Sequence, residues 1–197
     1  MSYDVILFDA DGVTIHSEMM FSQKLEQDYG IPMEKMLPFF KGVFQECLFG
    51  QADLKEELEK VIGDWGWKKT VDEMLKEWFV FENRPDQKMF DFIKELRTQG
   101  IKCYLATNQE IHRGKYLREE MDFNHLFDGL FISAEVGYKK KDPKFFEKIY
   151  EQIGEEIPKD HTLFIDDEEE NINAAKQVGI ATYLFDDLEK LKAFLEK

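Results

Sequence analysis

The sequence is poor in cysteine and in positive charge, and each shortage excludes a class of protein. Its 197 residues include two cysteines, Cys47 and Cys103, which lie far apart and fit no metal-binding spacing. Against 41 acidic residues there are 26 lysines and arginines, which gives a formal net charge of −15. Nucleic-acid binders need clustered basic side chains to displace counterions, so this charge argues against a nucleic-acid partner. It does not exclude a phosphorylated small molecule, because a bound divalent cation can invert the local field.

Long hydrophobic runs are also missing. No apolar stretch approaches the roughly 20 residues that a membrane span needs, and the first residues, MSYDVILFDADG, lack the basic start and cleavage site of a signal peptide. We therefore expect a cytoplasmic protein with no membrane partner. The chain is nevertheless 43% hydrophobic and 14% aromatic, which favours a packed globular protein over a disordered one.

Short apolar runs predict a parallel β-sheet. They are continuously apolar rather than alternating, which is typical of strands that helices cover on both faces. The predicted strands are VILF (5–8), IKCYLA (101–106), the weaker GLFIS (129–133), TLFI (162–165) and ATYLF (181–185). Helical patterns lie between them, for example DPKFFEKIYEQIG, which begins with Asp142 as N-cap and Pro143 at the first helical position. This alternation predicts a Rossmann-like core with three layers, α/β/α.

The interval between the first two strands is too long for a single crossover helix. Residues 16–84 contain no convincing strand but several helical patterns, such as DLKEELEKVIG (53–63) and a segment that opens with the capping box of Thr70 and Glu73. We therefore predict a helical cap domain over 16–84. The catalytic core would consist of 1–15 and 85–197.

Polar clusters follow the predicted strands. They are Asp9-Ala10-Asp11-Gly12, Thr107-Asn108, Gly137 with Lys139-Lys140-Lys141-Asp142, and Asp166-Asp167. Each alone has an ordinary explanation, because Asp and Gly suit turns, Thr-Asn suits a helix cap, lysines suit a surface and acids suit a helix N-terminus. The carboxyl ends of parallel strands meet at one edge of a sheet, however, so the four clusters together predict a shared site.

The acidic members of these clusters can support phosphoryl transfer. Asp9, Asp166 and Asp167 supply hard oxygen ligands of the kind that Mg²⁺ prefers. Asp9 can attack phosphorus and form an aspartyl-phosphate, which divides a difficult hydrolysis into two easier steps. Asp11 lies two residues later in the same loop, where it can protonate the leaving oxygen and then deprotonate the attacking water.

The other polar residues complete the predicted site. Thr107 and Lys140 can bind the remaining phosphoryl oxygens, where charge must be stabilised through the transition state. Gly12 allows the loop to turn tightly. These residues predict a Mg²⁺-dependent phosphatase of small phosphorylated metabolites.

Four motifs give the sequence a family resemblance. They are FDADGV (8–13), LATN (105–108), GYKKKDP (137–143) and FIDDEEEN (164–171). In this order they resemble the nucleophile, second, lysine and acidic motifs of the haloacid dehalogenase-like (HAD) hydrolase superfamily. The match is to the subgroup with a helical cap inserted after the first motif.

The resemblance implies a role for each matching residue. Asp9 would be nucleophile and metal ligand, and Asp11 would be acid and base with its backbone carbonyl on Mg²⁺. The further roles are phosphate binding for Thr107, Asn108 and Lys140, direct coordination of Mg²⁺ for Asp167 and coordination through water for Asp166. The dehalogenases of the family lack an acid two residues after the nucleophile, so Asp11 favours phosphoryl transfer over dehalogenation.

One departure from the family pattern concerns the lysine motif. Lys141 stands where the family often has proline, which leaves three adjacent lysines. Spacing within the motif selects Lys140 as the phosphate-binding lysine, and Lys139 and Lys141 are possible substitutes.

Three alternative functions remain open. A sugar-phosphate phosphomutase would return the phosphoryl group from Asp9 to a reoriented substrate, and the cap would decide this. The cap residues that could contact substrate are His16, Glu18, Lys41, Gln45, Gln51 and Lys55. A signalling receiver domain shares the residue types, but it has its acidic pair after the first strand and has no place for the insertion. A catalytically silent binding protein is the third alternative, and the intact set of site residues argues against it.

Overall fold

The computed structural model describes residues 3–17, 19–154 and 157–196, and its centre is a parallel sheet. The strands are β1 (Val5–Phe8), β2 (Lys102–Thr107), β3 (Gly129–Ile132), β4 (Thr162–Asp166) and β5 (Ala181–Leu184). They are hydrogen-bonded in the order β3-β2-β1-β4-β5, and every pair is parallel. The predicted α/β fold is confirmed. Strand ends differ by a residue where pairing decides them, since Thr107 extends β2 opposite Ile132.

Strand β1 lies in the middle of the sheet, and this position determines where a ligand can bind. Phe8 at its end is in register with Leu105 of β2 on one side and with Ile165 of β4 on the other. The chain leaves β2 towards β3 on one side of β1, and it leaves β4 towards β5 on the other side. These two connections diverge at the carboxyl end of β1. In open α/β sheets the crevice at such a point is the usual ligand site.

Six helices occupy the described part of the interval between β1 and the next core helix. They are α1 (Phe21–Tyr29), α2 (Met33–Lys41), α3 (Val43–Cys47), α4 (Leu54–Glu59), α5 (Ile62–Trp65) and α6 (Val71–Glu82). They bury an apolar cluster of their own, which includes Phe21, Met36 and Trp65. At the start of α6 the predicted capping box is present, with Thr70 and Glu73 bonded to each other's backbone amides.

The expectation of one helix over 53–63 is wrong. Helix α4 ends at Glu59 and α5 begins at Ile62, so the chain turns between them. The turn brings Ile62 and Trp65 into the apolar cluster of this region, where both are buried. Their burial outweighs the local preference for a continuous helix, which amounts to only tenths of a kcal/mol per residue.

The chain leaves the sheet and returns to it through two segments that lie side by side. His16 N donates to the carbonyl of Arg84 at 2.9 Å, and Asp86 N donates to the carbonyl of Thr14 at 2.9 Å. The predicted domain boundaries, between 15 and 16 and between 84 and 85, fall within this paired connection. We keep the division into cap (16–84) and core (1–15 and 85–197) as a proposal.

The remaining helices cover the sheet. They are α7 (Gln87–Thr98), α8 (Ile111–Glu119), α9 (Phe123–Leu126), α10 (Ser133–Val136), α11 (Pro143–Ile153), α12 (Glu169–Gln177) and α13 (Leu188–Leu195), with a 3-10 turn at Lys159–His161. Alternate residues of β1 enter two apolar clusters: Ile6 packs in the cluster that contains Ile93 of α7, and Leu7 in the cluster that contains Phe146 of α11. The sheet is therefore covered on both faces. None of the helices within the described ranges is long and apolar enough to cross a membrane.

Candidate active site

The turn after β1 places Asp9 at the centre of the crevice. The Asp9 side chain is almost fully buried, with 4% of the residue exposed. Its backbone N–H donates to the carbonyl of Ile165 at 3.0 Å, and its Oδ1 accepts from Ala10 N at 2.7 Å. The Ala10 carbonyl in turn accepts from the amides of Thr14 and Ile15, both at 2.8 Å. These bonds fix Asp9 rigidly to the end of the strand.

Gly12 is required in this turn for two reasons. Its φ is +86°, a left-handed conformation that residues with a Cβ rarely adopt. A Cβ at this position would also lie 2.2 Å from Oδ2 of Asp167. The absence of a side chain therefore lets the first loop approach the carboxylate that follows β4.

Of the three adjacent lysines, Lys140 is the one that reaches the acids. Its Nζ lies 2.5 Å from Oδ1 of Asp9 and 2.7 Å from Oδ2 of Asp166, and the residue is 3% exposed. Lys139 points elsewhere, donating to Oε1 of Gln45 at 2.6 Å. Lys141 is exposed.

Three carboxylates lie close enough to share a metal ion. One oxygen from each of Asp9, Asp166 and Asp167 lies within 4.8 Å of the others. Asp166 is fully buried, and donors already occupy both of its oxygens: Lys140 Nζ, Glu168 N at 2.8 Å, and Nδ2 of Asn171 at 3.0 and 3.2 Å. Asp167 is exposed and lines the cavity above the site. Of the two acids after β4, Asp166 is therefore fixed by hydrogen bonds, and Asp167 is accessible from the cavity.

The electrostatics of this cluster favour a cation. Burial raises the pKa of Asp9 to about 8; Asp166 adds to the rise and Lys140 opposes it. Burial, reinforced by Asp166, also raises the pKa of Asp167. Against the effect of its own burial, Asp9 and Asp166 hold the pKa of Lys140 above its usual value. One ammonium facing three acids leaves excess negative charge, so the donor set fits a hard divalent cation that would restore the ionised form of Asp9.

The residues after β2 form the opposite wall. Thr107 is buried, and both it and Asn108 line a cavity of about 430 Å³ together with Asp9, Asp11 and Lys140. The Oδ1 atom of Asn108 accepts from the backbone N–H of Lys140 at 2.9 Å. Because a backbone N–H can only donate, the atom that faces it must be the amide oxygen of Asn108. The amide nitrogen of the same side chain is then available to donate to a ligand oxygen. The arrangement supplies donors around one space next to Asp9.

Asp11 extends from the same loop and is exposed. Its Oδ2 accepts a hydrogen bond from Nε2 of Gln109 at 2.5 Å.

The sequence analysis assigns no role to Gln109, although this residue directly follows Thr107-Asn108. Asn171 was also missed, although it closes the quoted motif FIDDEEEN and lies five residues after Asp166, in the first turn of α12. Ser17 and Glu168, which line the cavity, had no signal of their own.

The suggested cap contacts divide into one residue at the cavity, two engaged elsewhere and three others. His16 lines the cavity and lies 3.3 Å from Asp86. Gln45 accepts from Lys139, and Lys55 pairs with Asp72 at 2.6 Å. The remaining suggestions are Lys41 and Gln51, which are exposed, and Glu18, which lies outside the described residues.

Comparison with known proteins gives matches in both sequence and fold. A family model described as haloacid dehalogenase-like hydrolase matches residues 3–179. Sesquiterpene phosphatase astK of Aspergillus oryzae is 38% identical over 109 residues, and the match spans 53% of each chain, about half of that relative. D-ribitol-5-phosphate phosphatase of Bacteroides thetaiotaomicron is 30% identical over 149 residues, which cover 72% of this chain and 70% of the relative.

A solved structure shows the same fold. It is a HAD-family enzyme from Bacteroides thetaiotaomicron in complex with magnesium and inorganic phosphate, with a TM-score of 0.79 and 22% identity. The superposition covers 96% of this chain and 99% of that one.

The close approach of Gly12 to Asp167 gives a testable prediction. In Gly12→Ala the new methyl group must displace the Asp167 carboxylate, so we expect Mg²⁺ affinity to fall about tenfold or more. The measurement is isothermal titration of the protein with Mg²⁺. Gly66→Ala is the matched control, because Gly66 also has a positive φ, +100°, but no neighbouring atom within 4 Å of an added Cβ, and it should bind like wild type. Equal affinity in Gly12→Ala would show that Asp167 does not hold the ion.

Proposed function

This chain belongs to the haloacid dehalogenase-like hydrolase family, and from that premise we propose that it is a Mg²⁺-dependent phosphatase of small phosphate monoesters with Asp9 as covalent nucleophile. The observation that carries the proposal is the position of Asp9: buried, bonded to Lys140, and within metal-sharing distance of Asp166 and Asp167. The names of the two phosphatase relatives support it. So does the magnesium and phosphate complex of the similar structure.

We propose that Asp9, Asp167 and the backbone carbonyl of Asp11 would hold the metal. Asp166 would act through water, because its two oxygens already accept from Lys140, Glu168 and Asn171. Bound Mg²⁺ would neutralise a phosphoryl oxygen as charge develops on it. Asn171 and Glu168 fix the orientation of Asp166, which in turn orients Lys140.

The phosphoryl group binds between the ends of β1, β2 and β4. The Lys140 ammonium, the Thr107 hydroxyl and the Asn108 amide are the donors to its oxygens. Of the three lysines only Lys140 contacts Asp9, which is why we assign the role to it and not to Lys139 or Lys141. Thr107 ends β2 and Asn108 follows it, and the loop that carries Lys140 is held by its hydrogen bond to Asn108. The three side chains therefore need to move little when a phosphoryl group binds.

The reaction proceeds in two displacements at phosphorus. In the first, a carboxylate oxygen of Asp9 forms a bond to phosphorus, the bond to the ester oxygen breaks, and Asp11 gives that oxygen its proton. In the second, Asp11 takes a proton from a water molecule, whose oxygen attacks phosphorus and releases the Asp9 carboxylate and inorganic phosphate. Gln109 acts as a positioning residue, because its amide holds Oδ2 of Asp11 at 2.5 Å.

Asp9→Asn tests the nucleophile. The amide keeps the size of the side chain but has no anionic oxygen to attack phosphorus, so phosphate release should fall to the uncatalysed background. The measurement is a screen of phosphorylated metabolites with Mg²⁺ for released phosphate. Equal release by wild type and Asp9→Asn would contradict the covalent role. A hexose phosphate that isomerises without release of phosphate would instead indicate a phosphomutase.

Asp11→Asn tests the acid and base separately. A general acid matters most when the leaving oxygen is basic, so we expect kcat for an alkyl phosphate to fall by on the order of 10²–10⁴. For p-nitrophenyl phosphate, whose leaving group needs no proton, the loss in the first step should be much smaller. Burst kinetics with p-nitrophenyl phosphate would follow that step alone. An equal loss of the first step for both esters would remove Asp11 from the acid role.

A further inference from the structure

A second cavity adjoins the site and is positioned for the leaving group. It encloses about 560 Å³ and shares Asp11, Ser17 and Asn108 with the cavity over Asp9. We call it the leaving-group pocket. In a displacement at phosphorus the attacking and leaving oxygens are roughly in line, so the ester oxygen lies on the side of the phosphoryl group away from Asp9. Asp11, the proposed proton donor to that oxygen, lies at the junction between the two cavities.

The cap contributes four apolar side chains to this pocket, beside the polar Ser17, Gln23 and Glu82. Met19 and Met20 come from the segment before α1, and Phe44 and Leu48 come from α3 and its end. Met20 is 71% exposed, an unusual exposure for so large an apolar side chain on a part of the surface that borders a site. Methionine side chains are flexible and polarizable, so they can adapt to apolar groups of different shape.

The charged members of the pocket are acidic. They are Asp11 and Glu82, the last residue of α6, and no lysine, arginine or histidine is among the described residues that line it. Burial raises the pKa of Glu82 to about 7, an effect that Arg113 opposes. A carboxylate or second phosphate on a substrate would find no cation among these lining residues to offset its desolvation. Glu82, when ionised, would also repel it.

Basic side chains do occur nearby, but outside the leaving-group pocket, and His16 also lines the cavity over Asp9. Arg84 and His16 line a smaller space of about 260 Å³ that shares Ser17 and Met19 with the leaving-group pocket and does not include Asp11. Both are engaged, Arg84 with the carbonyl of Phe81 at 3.3 Å and His16 with Asp86. Neither side chain lines the leaving-group pocket, so an anionic leaving group seated in that pocket would not meet them.

We propose that the leaving-group pocket selects phosphate monoesters of neutral, largely apolar alcohols and discriminates against esters whose leaving group carries a second anion. The inference rests on the proposed phosphatase function and names the substrate class of that same site. The determinants are the apolar side chains of Met20, Phe44 and Leu48, combined with Glu82 and with the lack of a basic side chain among the described residues that line the pocket.

The test compares three esters at equal Mg²⁺: n-hexyl phosphate, 5-carboxypentyl phosphate and glycerol 1-phosphate. The first two have chains of the same length and differ in a terminal carboxylate, and the third is neutral but polar. We expect kcat/KM for hexyl phosphate to exceed that for the carboxylate ester about tenfold or more. It should exceed that for glycerol phosphate as well, because buried methylenes favour the alkyl chain.

A gain of activity provides a stricter form of the test. Met20→Lys places a cation at the pocket without a loss of volume, and Met20 is too exposed for the change to disturb the core. The variant should hydrolyse 5-carboxypentyl phosphate about tenfold better than wild type and hexyl phosphate no better. Leu37→Lys adds the same charge at an exposed site on α2 and should leave both rates unchanged.

The outcomes distinguish the two proposals. Equal rates for the alkyl and carboxylate esters, a preference for the carboxylate or glycerol ester, or no gain in Met20→Lys would each overturn the substrate class while phosphate release continues. If wild type releases phosphate from none of the esters nor from p-nitrophenyl phosphate, the phosphatase function itself fails and the substrate class fails with it.

Discussion

The buried ammonium of Lys140 organises the rest of the site. It bridges Asp9 at the end of β1 and Asp166 at the end of β4, with N–O distances of 2.5 and 2.7 Å, in a place where all three side chains are almost fully excluded from solvent. A buried ion pair usually gains little stability, because desolvation of the charges cancels most of their attraction. Such an arrangement is more readily explained by chemistry at the site than by stability.

Two backbone features bring that lysine and those acids together. The central place of β1 sets Asp9 between the ends of β2 and β4, so that groups from three strands converge on one point. The left-handed turn at Gly12 then allows the first loop to approach Asp167 without a side chain between them. Asn108 contributes by accepting from the backbone N–H of Lys140, which fixes the lysine loop against the end of β2. Strand order, turn and loop together produce a preorganised cluster, and the proposed binding of a phosphoryl group would require little movement of it.

Much of the core could be predicted from sequence because its signals are local. Continuous apolar runs marked the five strands, and Asp142 with Pro143 marked the start of α11. The clusters that follow the strands could be placed on one edge because parallel strands share their direction. Features that depend on tertiary contacts could not be predicted from local patterns. They are the break between α4 and α5, the selection of one lysine among Lys139, Lys140 and Lys141, and the contacts of Gln109 and Asn171. Each of these depends on which side chain a distant element brings near, and spacing along the chain carries no such information.

The central claim is that Asp9 carries the phosphoryl group, and trapping tests it most directly. An aspartyl-phosphate is an acyl phosphate, so borohydride added to enzyme during turnover with Mg²⁺ and an alkyl phosphate should reduce the labelled residue to homoserine. Peptide mass spectrometry of the trapped protein locates that residue. The account predicts homoserine at position 9, only when substrate is present and not in Asp9→Asn. Turnover without any modification at position 9, or with homoserine at Asp11, Asp166 or Asp167 instead, would contradict it.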